Sequence, residues 1–222
     1  MGQPSANRKI QCVIYDCDGV LFDSLEANRK LYNDLAISIG RSPLQDEEVN
    51  YVHSHTVFES IHFIFRDDEV SEKKALERLK GIDFKDYIVY MKMEPHLLEA
   101  LSRLKEGGVR RAINTNRTTS MKFIMERFGL WPYFDMVVTA LDVKHPKPHP
   151  ESIEKILTAL NLNKDETLFV GDSEVDRQTA ESCGVRFIAY KNREIVENIF
   201  IDDHLEVVEY VSLGRMDLID KK

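Results

Sequence analysis

Five short apolar runs punctuate the chain, at Ile10–Tyr15, Val109–Asn114, Met136–Ala140, Thr167–Gly171 and Arg186–Tyr190. They are rich in Val, Ile, Phe and Tyr and lack strict polar alternation, as strands covered on both faces of a parallel sheet do. Between them apolar residues recur at helical spacing. Leu97, Leu98, Leu101 and Leu104 mark Leu97–Lys105, and Met121, Ile124, Met125 and Phe128 mark Thr118–Phe128. Ile153, Ile156, Leu157 and Leu160 mark Pro150–Leu160, and Val175–Cys183 reads likewise. Gly107-Gly108, Gly129 and Gly184 stand where three of these helices should stop. Strand alternating with helix over this stretch predicts an α/β protein with a doubly wound parallel sheet.

Residues 24–94 break the rhythm. They hold no convincing strand but several amphipathic stretches: Ser24–Ile39, Glu47–His53, Val57–Phe65, Glu72–Leu79 and Tyr87–Met93. The expectation is an all-helical insertion folding as its own small domain, with residues 1–23 and 95–222 forming the core. The stretch "IDDHLEVVEYVSL" reads as a closing helix and "IDKK" as a frayed end.

Length refines this picture: 222 residues amount to about one and a half domains, as a core with a sizeable insertion requires. Charge changes it more. The formal net charge of −8 speaks against non-specific nucleic-acid binding, which draws on a Lys/Arg surplus. An anionic substrate would therefore have to be met by local positive charge or a metal. No apolar run approaches the ~18–20 residues of a membrane span, and "MGQPSANRK" has no apolar stretch of a secretory signal. Cys12, Cys17 and Cys183 make neither a disulfide framework nor a zinc site. A cytoplasmic protein without membrane or nucleic-acid partners, monomeric or homodimeric, is the expectation.

Chemistry enters at the strand ends. The first strand runs into "DCDGVLFDS", which places Asp16 and Asp18 at the sheet's carboxyl edge, where open α/β folds bind ligands. Alone, this is also the sequence of a plain Asp-Gly turn. Thr115-Asn116 follow the second strand, and "HPKPHP" holds Lys147 between prolines after the third. The fourth ends in "GDSEVD", with Asp172 at its tip and Asp176 four residues on. Any one such group is commonly an N-cap or a solvated turn. Four that converge on one edge form a site.

These motifs, with the position of the helical insertion and the stretch "GLWPYFDMVVT" before the lysine loop, resemble the haloacid dehalogenase superfamily. The resemblance is to its phosphatase branch with a helical cap, which includes phosphoglycolate-phosphatase-like and β-phosphoglucomutase-like proteins. It implies a Rossmann-like core, Mg²⁺ dependence and phosphoryl transfer through an aspartyl-phosphate. Asp16 is then the nucleophile and Asp18 the general acid and base. Mg²⁺, a hard cation, would sit on Asp16, Asp172, the Asp18 carbonyl and waters, with Asp176 at or beside the metal site. Thr115 and the Asn116 amide would hold phosphate oxygens, and Lys147 would neutralise charge on the nucleophile and the phosphoryl group. With Asp18 protonated, the other three carboxylates balance Mg²⁺ plus Lys147, so a phosphate dianion can enter.

Asp18 favours phosphate esters, since branches that cleave carbon–halogen or carbon–phosphorus bonds depart at that position. The expected activity is hydrolysis of a small phosphorylated metabolite, with a phosphomutase or a weakly active regulatory protein of the same fold as alternatives. Arg117 is a candidate for reaching the substrate beyond its phosphate. His53, His55 and Arg66 are candidates for substrate contact from the cap, and equally solvated helix-face residues. His145 and His149 should brace the lysine loop or face solvent, and Cys17 should point away from the two aspartates.

Overall fold

The computed structural model describes residues 9–196 and 199–213; the leader reading of positions 1–8 and the "IDKK" end lie outside them. Strand β1 (Cys12–Tyr15) leads through β2 (Phe22–Asp23) into helices α1 (Leu25–Ser38), α2 (Asp46–Ser54), α3 (Val57–Ile64), α4 (Glu69–Leu79) and α5 (Lys85–Ile88). The chain returns through β3 (Lys92–Met93) to α6 (Leu97–Glu106), β4 (Arg110–Asn114), α7 (Ser120–Arg127) and β5 (Met136–Val138). It finishes with α8 (Glu151–Leu160), β6 (Thr167–Gly171), α9 (Glu174–Cys183), β7 (Arg186–Tyr190), β8 (Phe200–Ile201) and α10 (His204–Leu213).

Among the described residues, six strands form a parallel sheet in the order β5-β4-β1-β6-β7-β8. The five apolar runs are its first five strands in chain order, and β8 joins at the edge. Side chains alternate between its faces. Val13, Tyr15, Ile113 and Val170 enter one apolar cluster with residues of α6, α7 and α10. Cys12, Ile14, Ala112 and Phe169 enter another with residues of α8 and α9. Both faces are therefore covered, and the sheet is doubly wound around a central β1.

The insertion is helical except at its ends. The helix expected at Tyr87–Met93 ends at Ile88, and Lys92–Met93 is a strand instead. Met93 pairs with Phe22 and Lys92 with Asp23, antiparallel, so the two crossings between core and insertion run side by side. This ribbon is imposed by the meeting of the two crossings, which no local periodicity announces. Between the crossings, α1–α4 contribute a third apolar cluster, with Leu35, Val49, Ile61 and Ala75 buried in it. Helix α4 starts at Glu69 rather than at Glu72, because Asp68 caps it by accepting from the Val70 and Ser71 N–H groups, each at 3.1 Å. No described helix is long and apolar enough to cross a membrane.

Candidate active site

The carboxyl ends of β1, β4 and β6 meet beneath the inserted helices. Asp16 follows β1 directly, its N–H donating to Val170 O of β6 at 2.9 Å. The chain then turns sharply: Gly19 donates to Phe22 O at 2.8 Å with φ +70°, a left-handed conformation that favours glycine. Glycine is required a second way, since a Cβ here would lie 1.8 Å from Asp172 Oδ2. Gly171, the last residue of β6, leaves equally little room: its Cβ would fall 2.4 Å from Asp176 Cβ. Asp176 sits in the first turn of α9, where its Oδ2 accepts from Ser173 Oγ at 2.6 Å and Ser173 N at 3.2 Å. Ser173 Oγ accepts from Asp176 N in return, closing a capping box.

Lys147, only 3% exposed, stands between two of these carboxylates. Its Nζ is 2.8 Å from Asp16 Oδ1 and 2.6 Å from Asp176 Oδ1. Burial works against the lysine's charge, but the two carboxylates outweigh it and hold the ammonium firmly protonated. Asp16 is pushed up to about 7, by burial first and by the Asp176 charge next, with Lys147 pulling the other way. Asp172 is raised well above the ordinary carboxylate range by burial and by Asp176 and Asp16.

Asp18 has a different environment. Burial pushes its pKa up, but the Arg117 charge and its hydrogen bonds more than offset this, and the net shift is downward. The guanidinium binds as a fork, Nε to Oδ2 at 2.7 Å and Nη2 to Oδ1 at 2.5 Å. Ser24 Oγ also donates to Oδ1. The protonated Asp18 of the sequence-based charge count is therefore a carboxylate in this structure. Four acidic side chains thus share two cations, Lys147 and Arg117, and this shortfall of positive charge, together with burial, is what holds the Asp16 and Asp172 pKa values up.

Every residue singled out at the strand ends lines or adjoins one cavity between sheet and insertion. Asp16, Asp18, Thr115, Asn116, Arg117 and Lys147 line it directly, with His53 and His55 facing them. Thr115 Oγ1 accepts from Arg117 N at 3.1 Å, and the Asn116 backbone N–H finds no acceptor among the described residues. Asn116 Nδ2 ties the lysine loop to the insertion, donating to Lys147 O at 3.2 Å and Ser54 O at 3.4 Å. Arg66 lies elsewhere, donating to Phe63 O at 2.6 Å beside a separate hollow with Arg41 and Asp68. His145 and His149 pack against each other outside the cavity, ring centroids 4.8 Å apart. Cys17 is fully buried in the apolar cluster on one face of the sheet. Polar residues not singled out from the sequence also reach the cavity region, among them Ser24, and Asn28 one turn further along α1. Ser24 closes the same motif that carries Asp16 and Asp18, which is a signal for it, whereas Asn28 lies outside that motif.

A hard divalent cation fits the donors present. Asp16, Asp172 and Asp176 each offer an oxygen within 4.8 Å of the others. Both oxygens of Asp176 already accept hydrogen bonds, from Lys147 and Ser173. The Asp172 carboxylate, in contrast, has no donor and no ion-pair partner among the described residues, while Asn192 Nδ2 pins its backbone carbonyl at 2.8 Å. An unpartnered carboxyl group beside Asp16, in a site with more acids than cations, is what an oxygen-seeking cation requires.

Comparison with known proteins agrees with this architecture. The model of the family described as haloacid dehalogenase-like hydrolase matches residues 13–190. A phosphoglycolate phosphatase of Rhodobacter capsulatus is 29% identical over 183 residues, covering 80% of this chain and 83% of that protein. The pyrophosphatase PpaX of Halalkalibacterium halodurans is 31% identical over 192 residues, covering 80% and 82%. A solved haloacid dehalogenase superfamily hydrolase of subfamily IA from Geobacter sulfurreducens superposes with a TM-score of 0.74 at 38% identity, over 91% of this chain and 96% of that one. With the family model spanning the strands and loops that build the cavity, the chain belongs to the haloacid dehalogenase-like hydrolases.

Proposed function

We propose that the protein is a Mg²⁺-dependent phosphatase of small phosphorylated metabolites, with residues 24–94 acting as its cap. The observation that carries this reading is the buried Asp16–Lys147–Asp176 arrangement beside the unpartnered Asp172 carboxylate. The similarity to a phosphoglycolate phosphatase and to a pyrophosphatase supports it.

Asp16 is the nucleophile: one carboxylate oxygen bonds to phosphorus as the ester P–O bond breaks, giving an aspartyl-phosphate. Lys147 holds that carboxylate in place and offsets negative charge that gathers on the phosphoryl oxygens. Thr115 Oγ and the Asn116 N–H supply donors to the same oxygens. Asp16, Asp172 and the Asp18 carbonyl would hold Mg²⁺, which supplies charge neutralisation. Asp18 gives its proton to the leaving oxygen and later takes one from the water that hydrolyses the intermediate. The first of these steps needs Asp18 protonated, whereas the Arg117 fork holds it ionised. The fork must therefore loosen or pass to the substrate when the ester enters. Asp176 keeps Lys147 aligned and charged.

Hydrolysis of p-nitrophenyl phosphate tests the reading: turnover is expected with Mg²⁺, at background in chelator, and abolished by Asp16→Asn. Full activity in chelator, or in that variant, would overturn it.

A further inference from the structure

Asp18 rides on a tight turn that is held from outside as well as from within. Within it, the Leu21 and Phe22 N–H groups donate to Cys17 O at 3.0 and 3.1 Å, and Gly19 N–H donates to Phe22 O. From outside, two successive carbonyls of the turn accept from distant parts of the chain. Val20 O accepts at 2.8 Å from Nε2 of His204, the first residue of α10. Leu21 O accepts at 3.0 Å from the backbone N–H of Glu94, just past β3. A carbonyl oxygen can only accept, so the His204 proton resides on Nε2, and burial keeps the ring neutral.

Both ties lean on Tyr190, the last residue of β7. Its ring stacks on His204, with centroids 4.6 Å apart and planes at 24°. Its hydroxyl donates to Glu94 Oε2 at 3.0 Å, an oxygen that also accepts from Lys191 Nζ. Tyr190 and His204 are fully buried, and Glu94 is nearly so. At Gly19 the same turn abuts Asp172 so closely that no Cβ would fit. The turn is thus wedged in place. The general-acid step needs that, because Asp18 must change partners, from the Arg117 fork to the leaving oxygen. A side chain exchanges partners cleanly only over a backbone that stays put, and a misplacement of about 1 Å can cost about 10²-fold in rate.

We propose that His204 and Tyr190 are positioning residues for the general-acid step, fixing the Asp18 turn through the Val20 and Leu21 carbonyls. They act through Asp18 from the C-terminal part of the core. The inference rests on the phosphatase reading and deepens it at the acid.

Leaving-group dependence tests it. p-Nitrophenolate departs without a proton, whereas p-methylphenolate needs one, and the two phosphate esters are close in size. The ratio of their kcat/KM values with Mg²⁺, p-methylphenyl over p-nitrophenyl, therefore reads proton delivery. Asp18→Asn should lower this ratio by about 10²-fold or more. His204→Phe keeps a ring against Tyr190 but loses the donor, and should lower it about tenfold or more. His204→Gln restores an N–H and should recover part of the loss. Tyr190→Phe deletes only the hydroxyl that holds Glu94, and should lower the ratio about threefold or more. An unfolded fraction scales both rates alike, so a purely structural role leaves the ratio unmoved. A wild-type ratio in His204→Phe or in Tyr190→Phe overturns the proposal, and Tyr190→Phe decides alone if His204→Phe does not fold. A wild-type ratio in Asp18→Asn, or no Mg²⁺-dependent turnover of either ester by the wild type, overturns the underlying phosphatase reading instead.

Discussion

Asp16→Asn should make the cation-free protein more stable while abolishing its turnover. Burial and the Asp176 charge lift Asp16 from 3.8 to about 7 even with Lys147 at 2.8 Å. The folded chain therefore binds a proton at pH values where the unfolded chain has released it, and stability falls as pH rises toward 7. At about 1.4 kcal/mol per tenfold, ionised Asp16 costs on the order of 4 kcal/mol at pH 8 and under about 2 kcal/mol at pH 5. Asparagine has nearly the same shape without the charge and escapes that cost. His204, lowered to about 4 by burial, tilts the pH profile the opposite way over part of this range. The comparison must therefore be variant against wild type at each pH, which cancels the histidine. Urea denaturation in chelator at pH 8 and pH 5 measures it: the variant should be the more stable at pH 8, with at least half of the gain gone at pH 5. Saturating Mg²⁺ should erase the advantage, because only the carboxylate gains a cation. A variant less stable than wild type at pH 8 in chelator, or a gain independent of pH, would refute the reasoning.

Other perturbations probe neighbouring groups. Lys147→Met strands two buried carboxylates, and should lower stability by about 3–5 kcal/mol at pH 8 and kcat by about 10²–10³-fold or more, read by urea melts and phosphate release. Gly171→Ala drives a methyl into Asp176, and overpacking of this kind costs about 1–3 kcal/mol; kcat on p-nitrophenyl phosphate should drop at least about tenfold as Lys147 loses its alignment. His204→Ala removes the buried Nε2–H that donates to Val20 O at 2.8 Å, and should cost at least about 1–3 kcal/mol in a urea melt.

How far the site was legible follows from where each residue's surroundings are encoded. Asp16, Asp172 and Lys147 could be placed because each stands at the end of an apolar run or in a proline-flanked loop after one, and a parallel sheet gathers such ends on one edge. The register confirms it: Tyr15 lies opposite Ile113 on one side and Val170 on the other, so the next residues of all three strands emerge together. Asn28 gave no such sign, because on sequence it is one polar position on an amphipathic helix. Only the descent of α1 straight from the turn after Asp18 brings it to Arg117. The ionised state of Asp18 was equally hidden, since a sequence does not show that Arg117, ninety-nine positions on, forks onto it. Strand β3 escaped because two residues are too few for a period, and their pairing partner, β2, lies across the whole insertion.

That short ribbon has a consequence for how the chain is assembled. Because Phe22 lies opposite Met93, the core meets the intervening helices as a hairpin whose loop happens to be long. Closing a long loop costs only about 0.6 kcal/mol more for each doubling of its length. The sheet can thus tolerate lengthening, shortening or exchange of everything between those two positions at little entropic expense. The same catalytic edge can be handed a different roof without rebuilding the house beneath it.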